Sequence, residues 1–140
     1  MKKPAVLLAM TMGFALFAAA QSTKEIKRVP ASDTRPDSGV EMFKTYCATC
    51  HGLNGKGGGP AAEALKTVPP DLTLLSQKSG GKFPAGRVVH IIEGNDEIRA
   101  HGNSEMPLWG PVFRSMSASN DAIVKLRISN LVKYIESLQK

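Results

Sequence analysis

One pentapeptide, Cys47-Ala48-Thr49-Cys50-His51, constrains this 140-residue chain more than any other stretch. Two thiols three positions apart fall on a single turn of helix, and an imidazole follows at once. The residues in front of it supply the helix. Ser38-Gly39-Val40-Glu41 fits a capping box, with Ser38 at the cap and Glu41 three residues on. Val40, Phe43 and Cys47 then lie at spacings of three and four, which predicts one helical face running into the cysteines. Behind His51, glycines at 52, 55, 57, 58 and 59 make further helix costly and predict a loop.

Three chemistries can use such a cysteine pair. A redox dithiol needs a βαβ pattern around it, and the flanking sequence has none. A zinc site needs two more Cys or His ligands at suitable spacing. His90 and His101 are available but do not form a second pair of the usual kind. Covalent attachment of a haem fits best. Each thiol can add to one vinyl group of a porphyrin while the adjacent imidazole ligates the iron. One haem c, held through two thioether bonds to Cys47 and Cys50 with His51 on the iron, is therefore expected. A large apolar cofactor would also help to fill a core that has only five Phe, two Tyr and one Trp to draw on.

The chain begins as an export signal does. Lys2 and Lys3 precede an apolar run over 5–20, broken only by Thr11 and Gly13, that ends in Ala18-Ala19-Ala20. The run is short for a membrane span, so 1–20 is expected to be a cleaved signal and the protein periplasmic or otherwise exported; an uncleaved anchor is the alternative. Residues 21–36 are polar, contain Pro30 and Pro36, and predict a flexible linker to a domain over 37–140. The formal charge of +6 is mostly carried ahead of that domain. Without Lys2 and Lys3 the chain holds 16 basic and 12 acidic residues; without 21–36 as well, 12 and 10, a net +2. No basic stripe with interleaved aromatics appears, so a nucleic-acid partner is not expected.

Further along, Pro60 is placed to open a short helix over 61 to about 66, and Pro69-Pro70 forces extended chain. Gly55-Lys56-Gly57 lacks the Ser or Thr of a phosphate-binding loop. Pro84 opens a helix with Val88, Ile91 and Ile92 on one face and Gly94 as its stop. Residues 95–113, with Pro107 and Pro111, predict a loop. A last helix begins near Asn120, and Val124, Ile128, Leu131, Ile135 and Leu138 repeat along it. No strand pairs are evident, so the fold class is all-α.

A thioether ligand opposite the imidazole would close the iron and raise its potential. Six Met residues exist. Met1, Met10 and Met12 lie in the signal, and Met42 sits one turn before Cys47 on the same helix. Met116, between Ser115 and Ser117, suits packing. Met106 is the expected ligand, because Pro107 holds it in extended chain and stiffens the loop behind it. His101 is the competitor.

With these residues in place, 37–140 resembles the class I cytochromes c, the small monohaem electron carriers, of the bacterial periplasmic type. Gly39, Phe43 and Cys47 match their first-helix spacing. Pro69-Pro70-Asp71-Leu72 is similar to the segment whose Pro carbonyl accepts the proton of the haem-ligating His, with Pro70 the better match. Met106-Pro107 with Trp109-Gly110 resembles their distal strap. Leu131 and Tyr134 match positions where the last helix crosses the first near Gly39 and Phe43. The resemblance implies N- and C-terminal helices crossing around one haem. It also implies one-electron transfer by an iron with His51 and Met106 as axial ligands, rather than enzyme catalysis. Between Leu72 and Met106 the chain departs from mitochondrial-type members, which leaves Arg87, Arg99, Trp109 and His101 all open as propionate partners. Redox proteins are the expected partners and a monomer the expected state. Membership of a larger membrane redox complex, and a peroxidase-like or small-ligand-binding haem protein, are the alternatives.

Overall fold

The computed structural model describes residues 31–94 and 106–140. The apolar run over 1–20, the linker as far as 30, and the 95–105 segment with Arg99 and His101 lie outside the described residues. Among the described residues every regular element is helical.

Three segments follow one another without a break into the cysteine motif: α1 (Gly39–Met42), a π-helical turn (Phe43–Cys47) and α2 (Ala48–His51). Ser38 Oγ accepts the Glu41 amide at 3.3 Å, as the capping box requires. The reciprocal half is absent: the Ser38 amide donates to the Arg35 carbonyl, and the Glu41 carboxylate accepts from the Arg35 amide. Met42, Phe43, Tyr46 and Cys47 all point inward, whereas Val40 is 40% exposed. The expected stripe of Val40, Phe43 and Cys47 holds at Phe43 and Cys47; Val40, on α1 ahead of the π turn, falls at the edge of the face that Met42, Phe43 and Tyr46 bury.

The last helix, α6 (Asp121–Ser137), is capped by Asn120, whose Oδ1 accepts from the Ala122 and Ile123 amides. It buries Val124, Ile128, Leu131, Val132 and Ile135. It crosses α1 where Gly39 meets the Asn130 carbonyl, and Phe43 packs its ring 5.2 Å from that of Tyr134. A Cβ on Gly39 would stand only 2.9 Å from the Tyr134 Cβ, so the crossing requires glycine. Past its end, Gln139 donates from Nε2 to the Leu72 carbonyl at 2.7 Å and accepts the Ser76 amide at 2.9 Å. The C-terminus is thereby stitched to the 3-10 turn Leu72–Leu74 and to α3 (Leu75–Lys78).

Helix α4 (Ala85–Glu93) starts after Pro84, ends at Gly94 and buries Val88 and Ile92. The loop expected over 95–113 is corrected at its far end: α5 (Trp109–Met116) begins there. Pro111 stands in the first turn of α5, where a missing N–H costs nothing, so it is compatible with the helix start rather than a break. The helix expected from 61 to about 66 shrinks to a 3-10 turn, Ala62–Ala64. Its leading amides are already engaged, Ala61 with the Thr49 carbonyl and Ala62 with that of Gly59. The described end of the expected linker is also packed rather than loose. Thr34 is buried, and Asn130 Nδ2 donates to the Pro36 carbonyl at 3.2 Å. Polar composition signalled a linker, but here the polar atoms bond to the fold.

Candidate haem site

The attachment turn ends in four carbonyls that no helix can satisfy. The Gly52 amide takes that of Ala48 at 2.8 Å, and the Ala61 amide that of Thr49 at 2.9 Å. The Gly59 amide takes that of Cys50 at 3.0 Å, and the Gly57 amide that of His51 at 2.8 Å. The glycine run thus supplies three of the four capping amides, and Ala61 just beyond it the fourth. Gly57 also sits against the Pro69 carbonyl with φ 90°, where a side chain would be strained and would collide. The Leu72 amide donates to Gly55 at 2.7 Å, so the same loop holds the Pro69–Pro70 segment against His51.

His51 is buried, and its Nδ1 lies 3.3 Å from the Pro70 carbonyl. A carbonyl can only accept, so Nδ1 carries the proton and Nε2 keeps a free lone pair. Burial lowers the imidazole pKa from its ordinary 6.5, partly offset by the Pro70 hydrogen bond, so the ring is neutral at pH 7. Cys47 is buried and Cys50 half-exposed, both as free thiols. Burial, with the neighbouring Cys50 adding to it, pushes the Cys47 thiol up to about 12. A sulfur so buried is uncharged, as a thioether is. Among the described residues no strand supports the dithiol fold, and no cluster of three or more Cys, His, Asp or Glu could hold a metal ion. His90 is exposed on α4.

Cys47, Cys50 and His51 open onto one cavity of about 500 Å³. That volume falls within the about 300–1,000 Å³ usual for cofactor and ligand pockets. Pro70 from the proximal side, Ile92 from α4, and Met106 and Trp109 from the α5 entry line it as well. The structure thus gathers the three motif residues and Met106 around a single, largely apolar space. Arg87 and Trp109, two of the propionate candidates, reach it; Arg99 and His101 lie outside the described residues. Met116 closes α5 and does not line the cavity among the described residues; its Sδ lies 3.9 Å from the Tyr46 hydroxyl. Tyr46 does line the cavity, and the sequence reading missed it, although its place beside Cys47 on the first helix was a usable signal.

The family model for cytochrome c matches residues 36–139, from the packed end of the expected linker to the end of the fold. The chain belongs to the cytochrome c family. No curated protein and no solved structure gives a match. Family membership brings haem-based electron transfer and a covalently bound haem c with its iron, and the residues present fit that group. This cytochrome has only two cysteines, both in the motif and both at the cavity. It also has a neutral imidazole whose outer nitrogen is already engaged, which leaves the inner one available to iron.

Proposed function

We propose that this cytochrome is an exported one-electron carrier with a single haem c, joined by thioethers to Cys47 and Cys50 and ligated axially by His51 and Met106. The observation that carries this reading is the arrangement of His51: its Nδ1 is spent on Pro70, and the cavity it faces is shared with Met106. When bound, the haem supplies an iron that gains or loses one electron. The chain's own residues do the rest. Pro70 fixes the tautomer and orientation of the His51 ring and raises its strength as a ligand. The Met106 thioether favours the reduced iron and leaves no open position for a substrate. Cys47 and Cys50 anchor the group through the turn that the glycine loop caps. The N-terminal sequence pattern supports export into the periplasm, with redox proteins as donor and acceptor.

The test is an optical and redox titration of the purified holoprotein beside Met106→Ala. The wild type should show a low-spin haem with the weak Fe–S charge-transfer band when oxidised. Met106→Ala should lose that band and fall in potential. An unchanged variant would move the ligand to Met116 or His101, and a high-spin ferric wild type at neutral pH would overturn the carrier reading. Mass spectrometry of the exported protein should find Gln21 at the N-terminus.

A further inference from the structure

Arg127 is a charged residue on the buried face of α6, and its side chain is only 4% exposed. Its one carboxylate partner among the described residues, Asp33 at 3.0 Å, is 83% exposed. The two halves of this ion pair therefore stand in different media. Water screens the anion, while the cation sits among protein atoms, 6.0 Å from the centre of the Phe113 ring. Its Nε has no hydrogen-bond partner among the described residues. A buried positive charge that is only partly compensated is costly.

What it lies beside follows from the hydrogen bonds. Arg127 donates from an Nη to Thr34 Oγ1 at 3.0 Å. Thr34 Oγ1 lies 2.8 Å from the Tyr46 hydroxyl. Tyr46 has one proton, and the Ser32 carbonyl, which can only accept, takes it at 2.6 Å. Thr34 must therefore donate to Tyr46. The chain of donors runs one way, from guanidinium to threonine to tyrosine to carbonyl, and Tyr46 is part of the cavity wall. Two hydrogen bonds separate the buried cation from the residue that lines the cavity.

We propose that Arg127, held by Asp33 and Thr34, is a positioning residue that sets the reduction potential of the haem site. The inference rests on the haem reading of the cavity. Accepting an electron removes one positive charge from the iron, so a nearby buried cation favours the reduced state and raises the potential. Asp33 opposes this, weakly, because it is solvated. The segment 32–36, which the sequence marks as linker, is in this view part of the site.

Potentiometric titration of the holoprotein tests the proposal with two variants whose effects have opposite sign. Arg127→Met keeps the bulk and removes the charge; it should lower the reduction equilibrium constant by roughly tenfold, about 59 mV for one electron. Asp33→Asn removes the screening anion from an exposed position and should raise that constant by roughly twofold, an effect that shrinks as salt is added. A merely structural role predicts otherwise: loosening the 32–36 segment would admit water and move both variants in the same direction. Same-direction shifts, or no shift in either, overturn the proposal. Should Arg127→Met yield no haem protein, Asp33→Asn decides alone, an upward shift supporting the assignment and any other result refuting it. A wild type without covalent low-spin haem would instead show that the reading of the cavity has failed.

Discussion

Gly39→Ala sets two known effects against each other, and the structure decides between them. On an open helix, replacing Gly by Ala stabilises by up to about 1 kcal/mol, because the unfolded chain loses freedom and the helix gains propensity. At Gly39 the new methyl would lie against the Asn130 carbonyl, 2.8 Å from its carbon and 2.9 Å from the Tyr134 Cβ. These are backbone or near-backbone atoms of α6 and cannot rotate aside, so the crossing itself must open. Overpacking of this kind costs about 1–3 kcal/mol. With rigid neighbours the upper half of that range applies, and subtracting the propensity gain leaves a net loss of about 1–2 kcal/mol. For a domain of about 100 residues that lowers Tm by roughly 5–15 °C. Gly86 on α4 is the matched control, since a Cβ there meets nothing within 4 Å. Thermal denaturation of the holoprotein, followed by circular dichroism, should show Gly39→Ala melting earlier and Gly86→Ala no earlier than wild type. An unchanged or raised Tm for Gly39→Ala would refute the close crossing and the packing argument built on it.

Two further outcomes follow from side-chain caps. Asn120 accepts two amides at the start of α6, so Asn120→Ala should cost about 1 kcal/mol in urea unfolding at an unchanged m-value. Asp71 accepts the Thr73 hydroxyl at 2.7 Å and its amide at 2.8 Å, and the hydroxyl bond first of all holds its carboxyl below the ordinary 3.8. A depressed carboxyl stabilises the fold above its unfolded pKa and loses that contribution as the pH falls through the folded one. The Tm gap between wild type and Asp71→Asn, measured by calorimetry at several pH values, should therefore be open at pH 7 and close in acid below the ordinary carboxylate range.

The parts of this molecule legible in the sequence are those where a single residue type does a local job. Ser38, Asn120 and Gly94 mark helix ends because capping depends on neighbours a few positions away. Cys47, Cys50 and His51 read as one unit because their chemistry is set by spacing along one turn. The apolar period of α6 gave its buried face at Val124, Ile128, Leu131 and Ile135. What resisted reading depends on partners far along the chain. Arg127 interrupts the apolar face of α6 as a charge, and only Asp33 and Thr34, more than ninety positions earlier, make its burial intelligible. Val40 stands at helical spacing from Phe43 yet is 40% exposed, because spacing gives a stripe and not its edge. Pro111 reads as a loop marker in the sequence because proline ends helices and also starts them, and local sequence does not separate the two.

The haem levers available to a protein are the axial ligands, the hydrogen bonds behind them and the burial of charge around them, and on the reading proposed above this fold draws them from different segments. The glycine loop fixes the His51 side: it caps three carbonyls of the attachment turn, Ala61 caps the fourth, and the loop holds Pro69–Pro70 in place. The entry to α5 brings Met106 to the cavity, with Trp109 stacked 4.9 Å from Tyr46 behind it. The N-terminal segment and α6 place the buried cation. A one-electron carrier gains nothing from ligands that move when its charge changes, since every such movement adds to the barrier for transfer. Anchoring by several segments at once suits that demand. The motif at 47–51 is the most readable element of the chain, but its rigidity comes from Gly52–Gly59, and the glycines that looked like mere loop formers are what hold it still.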